Sequence, residues 1–416
     1  MAQLTDDCFA FGNGPMRIEE AVARIAERFP VVSGTETVPL GLADGRIAAE
    51  DVFAGHDLPP FANAAVDGYA VRFADLTPGA ETVLPVGGRL AAGAAAGTAP
   101  PGTAIRIFTG APMPPEADTV FMQEDVRREG DRVVLPPGLK PGANARPAGE
   151  DLGRGGLAIP AGRRLRPQDL ALAAATGHAR IAVRRRLRVA LFSTGDELSE
   201  PGAPLRPGAI HDSNRVLLAT LLTRLGVAVD DLGILRDDPA ALPARLAAAA
   251  RDHDLILTSG GVSIGEEDHV KAAVAAQGRL MLWRLAIKPG RPVAAGLVAG
   301  TPFIGLPGNP VAAYVTLLFV VRPLLARLGG ALYQPPLPWP VKAGFAYRKK
   351  AGRREFVRVS LARTAGGGLE VQKFPRDGAG MLTSLTESDG LVELPDDATG
   401  ISPGDTLAYY PHGLAW

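Results

Sequence analysis

Asp254-Leu255-Ile256-Leu257-Thr258-Ser259-Gly260-Gly261-Val262-Ser263-Ile264-Gly265-Glu266-Glu267-Asp268 is the stretch on which the reading of this chain turns. Residues 254–258 form a short apolar run bounded by turn formers, the pattern of a strand covered on both faces. A loop of small residues and three acids follows, and residues 268–277 resume a helical pattern. The alternation extends in both directions. Residues 187–192 read as a strand, 213–225 as a helix, 228–235 as a strand and 239–251 as an Ala-rich helix. Downstream, 280–286, 292–297 and 302–306 read as strands and 310–328 as a long apolar helix. Strands alternating with helices predict a mostly parallel sheet with helices on both faces.

The texture changes on either side. Residues 15–29 place Ile18, Val22, Ile25 and Phe29 on one face of an amphipathic helix, which Pro30 ends. From 31 to about 183, short β-type runs (70–72, 103–108, 119–122, 132–135) alternate with Gly/Pro turns, with one helix near 167–176. Residues 333–416 return to short strands and Gly-rich turns and read as a small all-β domain.

Composition bounds the function. At roughly 100–200 residues per domain, 416 residues allow two to four domains. The 50 Gly and 37 Pro point to tight turns, not disorder, because 46 % of the chain is hydrophobic. The 44 basic residues balance 44 acidic ones, so the basic surplus of a nucleic-acid binder is missing. Two basic clusters, Arg184, Arg185, Arg186 and Arg188, and Arg348, Lys349, Lys350, Arg353 and Arg354, read as solvated strand edges. The single cysteine, Cys8, excludes an internal disulfide and a Cys-x-x-Cys zinc site, and fits a reducing cytoplasm. Residues 1–13 carry early acids and no basic n-region, unlike a signal peptide. The apolar run 311–321 is too short to span a bilayer. A soluble protein with no membrane partner is expected.

In an open α/β sheet, ligands bind at the carboxyl ends of the strands, so the residues following each strand are the candidates. They are Ser193-Thr194-Gly195-Asp196-Glu197, Arg236-Asp237-Asp238, the loop from Ser259 to Asp268, Lys288-Pro289-Gly290-Arg291 and Leu306-Pro307-Gly308-Asn309-Pro310. Glycines let backbone N–H groups approach a phosphate, and a following helix adds its positive end. Thr194, Gly195, Ser259, Gly260, Gly261, Ser263, Pro307 and Asn309 are therefore candidate cofactor-binding residues. Lys288 and Arg291 can neutralise an oxyanion. Glu197, Asp237 and Asp268 can hold Mg²⁺, a hard ion that prefers oxygen. Each feature alone is commonly an ordinary turn or a solvated side chain; their gathering at one rim is what carries weight.

Other chemistries fare worse. There is no P-loop, and no Gly-x-Gly-x-x-Gly follows a strand. Gly261-Val262-Ser263-Ile264-Gly265 matches a nucleophile elbow, but Ser259-Gly260-Gly261 separates the strand from the serine. His269 is too close in sequence for a triad histidine, and His412 sits at the tail. A serine hydrolase using Ser263 is kept as an alternative to the anion-binding loop. The histidines at 56, 178, 211, 253, 269 and 412 show no metal spacing. Asp212 and Ser213 are good helix caps, and Trp283 and Trp339 read as packing residues.

Further segments join these, in order, from about residue 17 to 410: Ala43-Asp44-Gly45-Arg46, Pro59-Pro60-Phe61, Val66-Asp67-Gly68-Tyr69-Ala70, Thr109-Gly110-Ala111, Gly149-Glu150-Asp151 and Asp212-Ser213-Asn214. Together with the strand-end motifs they resemble the molybdopterin molybdenumtransferase (MoeA) family, related to the C-terminal domain of gephyrin. The resemblance implies a multidomain α/β and β protein. A central, mostly parallel MogA-like α/β domain (187–332) would carry β-rich N-terminal domains and a small β-barrel-like C-terminal domain (333–416). Residues 1–58 and 150–186 would form one elongated domain, with 59–149 inserted. A homodimer is implied, its cleft shared with the inserted domain of the other subunit.

The family's functional positions fall on Asp67, Thr109, Asp151, Glu197, Asp237, Asp268 and Lys288, with Arg284 where a lysine is common. In the last domain Arg353 or Arg358, and Ser384, match. Ala62 stands where an aspartate is usual, and His211 replaces a common tyrosine. The implied substrates are molybdate and adenylylated molybdopterin, with Mg²⁺ as cofactor, AMP as product and a molybdopterin adenylyltransferase as possible partner. Arg284, Lys288 and Arg291 would attract molybdate. Molybdenum takes soft sulfur ligands; with Cys8 the only thiol, the sulfur must come from the substrate. A gephyrin-like, peptide-binding scaffold is the other alternative.

Overall fold

The computed structural model describes residues 15–236, 238, 240–261, 269–364 and 366–415, with only the backbone for 269, 271, 279, 281–284, 414 and 415. The chain divides into two compact units, one of residues 1–36, 45–49 and 183–416 and the other of 37–44 and 50–182.

In the first unit, continuous apolar runs make strands buried on both faces. In chain order the elements are β1 (Arg188–Ser193), α1 (Ser213–Arg224), β2 (Ala228–Ile234), α2 (Leu242–Asp252), β3 (Leu255–Ser259) and α3 (His269–Gln277). They continue with β4 (Gly278–Arg284), β5 (Ile287–Lys288), β6 (Pro292–Val298), β7 (Thr301–Leu306) and α4 (Pro310–Leu328). The sheet order is β2-β1-β3-β7-β6-β4. The first four strands are parallel, in register through Val189↔Val229, Leu191↔Leu257 and Thr258↔Gly305. β6 and β4 add antiparallel. The edge strand β2 carries Asp230 and Asp231, charges that discourage edge-to-edge pairing.

Helix α4 is apolar on all sides, and by length and composition it would pass for a membrane span. In fact 83 % of that stretch is buried, so it is a core helix. A π-helical turn, Leu317–Val321, interrupts it. One core joins the N-terminal helix Ile18–Arg28, one sheet face, α1, α4, and Phe356 and Leu391 of the C-terminal domain. Phe319 stacks on Phe356 with ring centroids 4.2 Å apart. The second core lies on the opposite sheet face, under α2 and α3.

The C-terminal domain contains β8 (Trp339–Ala343), β9 (Arg354–Arg363), β10 (Leu369–Lys373), β11 (Gly390–Leu394) and β12 (Thr406–Pro411). They pair in the order β9-β10-β8-β12-β11, and β11 pairs back onto β9, closing a five-stranded barrel. Closure removes every free edge. The short β5 adds in parallel outside β9, with Lys288 opposite Glu355.

The second unit holds a six-stranded sheet in the order 119–122, 68–71, 104–107, 82–90, 132–135, 127–129. A helix, Pro167–Ala175, and two short strand pairs complete it.

Two sequence expectations are corrected, those for the basic clusters and for Trp339. The basic clusters are not merely solvated: Arg185 pairs with Asp254 at 2.9 Å, and Arg354 with Glu393 at 3.2 Å. Lys349 is buried and donates to the carbonyls of Pro395 and Ala398 at 2.6 and 2.7 Å, on a turn that also accepts from Gly352 N at Asp396 O (2.8 Å). The N-terminal helix inserts along Ile18, Ala21 and Ile25, with Val22 partly buried against the same core, on the face its spacing predicts. Trp339 is 47 % exposed and lies beside Tyr409 on the barrel wall instead of packing inside.

Asp212 caps α1, accepting from Arg215 N at 3.1 Å. The Arg215 side chain, 8 % exposed, pairs with Asp212 (2.9 Å), Asp231 (2.6 Å) and Glu200. Burial works against this charge, but the carboxylates outweigh it and hold the guanidinium above the ordinary arginine range. Removing it strands Asp212, which is almost fully buried. Arg215→Ala should lower stability by about 3 kcal/mol, read as the loss in chemical denaturation; an unchanged midpoint would show that the network is not structural.

Candidate active site

Three loops converge at the carboxyl ends of the parallel strands. Thr194 N donates to Ser259 O at 3.2 Å, and Gly260 N to Leu306 O at 3.1 Å. Asn214, at the start of α1, bridges the other two loops: its amide donates to Ser259 Oγ (2.9 Å) and Gly308 O (2.7 Å). Thr194, Gly195, Ser259, Gly260, Gly261, Pro307 and Asn309 thus sit on one rim. Gly260 and Gly261 have φ of +86° and +65°, and a Cβ on either would stand 2.6 or 2.4 Å from Thr194 O or Oγ1. Only glycine fits there. The hydroxyls of Ser193, Thr194 and Thr258 are buried with no protein partner among the described residues. A polar group left so is costly unless a ligand or water completes it.

Glu197 extends from the same rim, exposed and with no ion-pair partner among the described residues. Asp237, Ser263 and Asp268 lie outside the described residues, as does the side chain of Arg284. Among the described residues no group of three His, Cys, Asp or Glu could hold a metal. Arg291 is exposed beyond the Pro289–Gly290 turn.

Lys288 faces the barrel. Its Nζ donates to Tyr347 Oη and Glu355 Oε2, both at 3.1 Å; Tyr347 donates to the same Oε2 at 3.0 Å, and Arg353 to Oε1 at 2.9 Å. Glu355 is 1 % exposed. Burial opposes the Lys288 charge, but Tyr347 and Glu355 outweigh it and keep the ammonium above the usual lysine range. Burial pushes the Tyr347 phenol up as well, so it stays a donor. A cavity of about 90 Å³ opens here, lined by Lys288, Arg358, Lys373 and Arg376 with Glu355 and Asp377. Arg358 donates to Ser384 Oγ at 3.0 Å and to Gly378 O at 3.1 Å, so both barrel positions matched in the sequence meet at this wall. The segment 376–380 also joins cavity and rim: Val311 N donates to Ala379 O at 3.0 Å, beside Asn309. His412 bonds Tyr314 and Ser388, so both of its ring nitrogens are already engaged.

In the second unit Asp67 accepts from Thr109 N (2.8 Å) and Thr109 Oγ1 (2.7 Å). These bonds, the backbone one foremost, hold its carboxyl below the usual range, with Arg106 assisting. Arg89 and Arg106 both stack on Phe108, 4.5 Å from the ring centre. Asp151 is exposed and ties its backbone to Leu58 O at 2.9 Å; it does not hydrogen-bond the Asp67–Thr109 pair. Sequence reasoning missed Glu355, Tyr347, Arg89 and Arg106. A lone acid inside the basic run at 353–358 was the available signal for Glu355.

Fold and site together define a multidomain protein whose candidate ligand rim crowns a mostly parallel α/β domain. Family models match the chain in succession: the MoeA N-terminal region (domain I and II) over residues 16–177, a probable molybdopterin binding domain over 190–327, and the MoeA C-terminal region (domain IV) over 340–412. A molybdopterin molybdenumtransferase of Haemophilus influenzae is 37 % identical, over 95 % of this chain and 98 % of its own. Molybdopterin molybdenumtransferase 2 of Mycobacterium tuberculosis is 38 % identical, over 89 % and 93 %. A crystal structure of a molybdopterin biosynthesis MoeA protein from Pyrococcus horikoshii superposes with a TM-score of 0.82 at 30 % identity, covering 96 % of this chain and all of that one. The chain belongs to the MoeA family.

The depressed Asp67 pKa means that its bonds stabilise the fold above the ordinary carboxyl range and are lost as pH falls through the folded value. Thr109→Val removes the hydroxyl but keeps the stronger backbone donor. The Asp67 pKa, followed by NMR titration, should rise part of the way toward the unperturbed value; no change would show that the hydroxyl plays no part.

Proposed function

We propose that this protein inserts molybdate into adenylylated molybdopterin and releases AMP. The observation that carries this reading is the cavity between Lys288 and the barrel. Its four cations face two carboxylates, leaving two positive charges, which match a dianion. At about 90 Å³ it holds one tetrahedral oxyanion and falls far short of a nucleotide site. The larger substrate would lie along the adjoining rim, where the buried hydroxyls of Ser193, Thr194 and Thr258 have no partner among the described residues and the Gly260–Gly261 backbone can approach a phosphate. The dithiolene sulfur would then meet the oxyanion where segment 376–380 joins rim and cavity.

The protein's own groups bind and orient. Lys288, fixed by Glu355 and Tyr347, and Arg358, fixed by Ser384 and Gly378, would hold the oxyanion. Glu197, with Asp237 and Asp268, would hold Mg²⁺; an exposed carboxylate with no cation beside it, among the described residues, suits a hard ion. When bound, the ion would neutralise phosphate charge at the linkage to AMP. In a homodimer, Asp67 and Thr109 of a second copy would complete the site. A cytoplasmic setting, and delivery of the substrate by a molybdopterin adenylyltransferase, fit this chemistry.

The test is incubation with adenylylated molybdopterin, Mg²⁺ and molybdate, following AMP. Release should require molybdate. Asp268→Ala should slow it by roughly 100-fold or more, the scale of about 3 kcal/mol of transition-state stabilisation, while stability changes by less than about 0.5 kcal/mol. Full molybdate-dependent release by Asp268→Ala would remove the carboxylate from the mechanism.

A further inference from the structure

Behind the wall that carries Arg358 runs a chain of side chains that the proposed reaction does not touch. His412, just past β12, places Nδ1 2.8 Å from Tyr314 Oη on α4, with the rings edge to face at 5.4 Å. Its Nε2 lies 3.1 Å from Ser388 Oγ. Ser388 donates its one proton to the Ser384 carbonyl at 2.6 Å. Ser384 is fully buried, donates its own proton to Met381 O at 2.6 Å, and accepts from Arg358 Nε at 3.0 Å.

Counting protons sets every direction. A carbonyl can only accept, so Ser388 has no proton left for His412, and Nε2 must donate to Ser388. In a neutral ring Nδ1 is then an acceptor, and Tyr314 donates to it. Burial lowers the His412 pKa against the pull of Asp389, consistent with a neutral ring. This is not a nucleophilic dyad, because the serine hydroxyl donates to the Ser384 carbonyl and not to the imidazole, and Ser388 is buried.

We propose that Tyr314, His412 and Ser388 form a positioning relay that seats Arg358. The relay ties α4, which starts at the rim, to the Ser384 turn, and that turn holds Nε of Arg358. With Nε on Ser384 and Nη2 on Gly378, Nη1 has no protein acceptor among the described residues, and Arg358 lines the cavity. The relay thereby aims Nη1 at the oxyanion. His412 is a positioning residue and never meets substrate. The assignment rests on the oxyanion reading of the cavity given above.

The experiment compares the full-length protein with His412→Phe and His412→Gln, varying molybdate and pterin substrate separately in the AMP-release assay. Gln can donate to Ser388 as Nε2 does; Phe cannot. His412→Phe should raise the KM for molybdate roughly tenfold, as expected when a charged hydrogen-bond donor is misaligned. Its kcat and the KM for the pterin should stay within about twofold, and His412→Gln should recover most of the loss. Equal behaviour of the two variants, or parallel shifts in both KM values, overturns the relay. A readout free of activity separates this from the cavity reading: ¹⁵N NMR of the His412 ring at pH 7. A neutral Nε2–H ring supports the relay, and an Nδ1–H or charged ring overturns it, whereas AMP release that ignores molybdate in the unaltered protein overturns the cavity reading alone.

Discussion

A carboxylate sealed from water persists only where cations and donors surround it, and Glu355 is such a group. It is met by Lys288 from β5, in the link between two strands of the central sheet, by Arg353 just before its own strand and by the Tyr347 hydroxyl. The backbone repeats the link, since β5 pairs with β9 at this very register. The loop after the antiparallel edge of the sheet is therefore part of the barrel's outer wall. Phe319 on Phe356 makes the same junction through apolar packing. Without the Glu355 contacts, Lys288 would be an ordinary lysine on a mobile stem; with them it is a fixed charge at the mouth of a small cavity.

The rim answers to a different constraint. Parallel strands end together, so their loops crowd, and two glycines at positive φ let the Ser259–Gly261 turn lie against Thr194. Asn214 fastens that turn to Gly308, and Asn214 is itself held by the α1 cap and the Arg215 network. A pre-set polar rim costs little reorganisation when a charged ligand arrives. The buried hydroxyls beneath it, without a partner among the described residues, are the kind of local expense that a packed core does not carry without a use.

Much of the central domain was legible because its strands are continuous apolar runs with turn formers at each end, and their carboxyl ends collect Glu197, the Ser259–Gly261 loop, Lys288 and Asn309. The MoeA resemblance rested on those motifs in order, and the family match agrees with it. What escaped the sequence depends on pairings between distant segments. Nothing in the run from Tyr347 to Arg358 says that Glu355 will face Lys288, because that follows from β5 joining β9. Closure of the barrel, with β11 returning to β9, has no local signal either. His412 looked like a stray tail histidine; its neighbours Tyr314 and Ser388 lie 98 and 24 residues away. Lys349 looked solvated because periodicity cannot show that a turn at 395–398 supplies carbonyls for it.

The central claim is that the junction of sheet and barrel holds a tetrahedral dianion between Lys288 and Arg358. Crystals grown with tungstate, a heavier oxyanion of the same charge and shape, test it through anomalous scattering. The account predicts a peak within hydrogen-bond reach of Lys288 Nζ and Arg358 Nη1. Tungstate bound only elsewhere, as at the Arg89–Arg106 pair of the other unit, with the cavity filled by water alone, would contradict it.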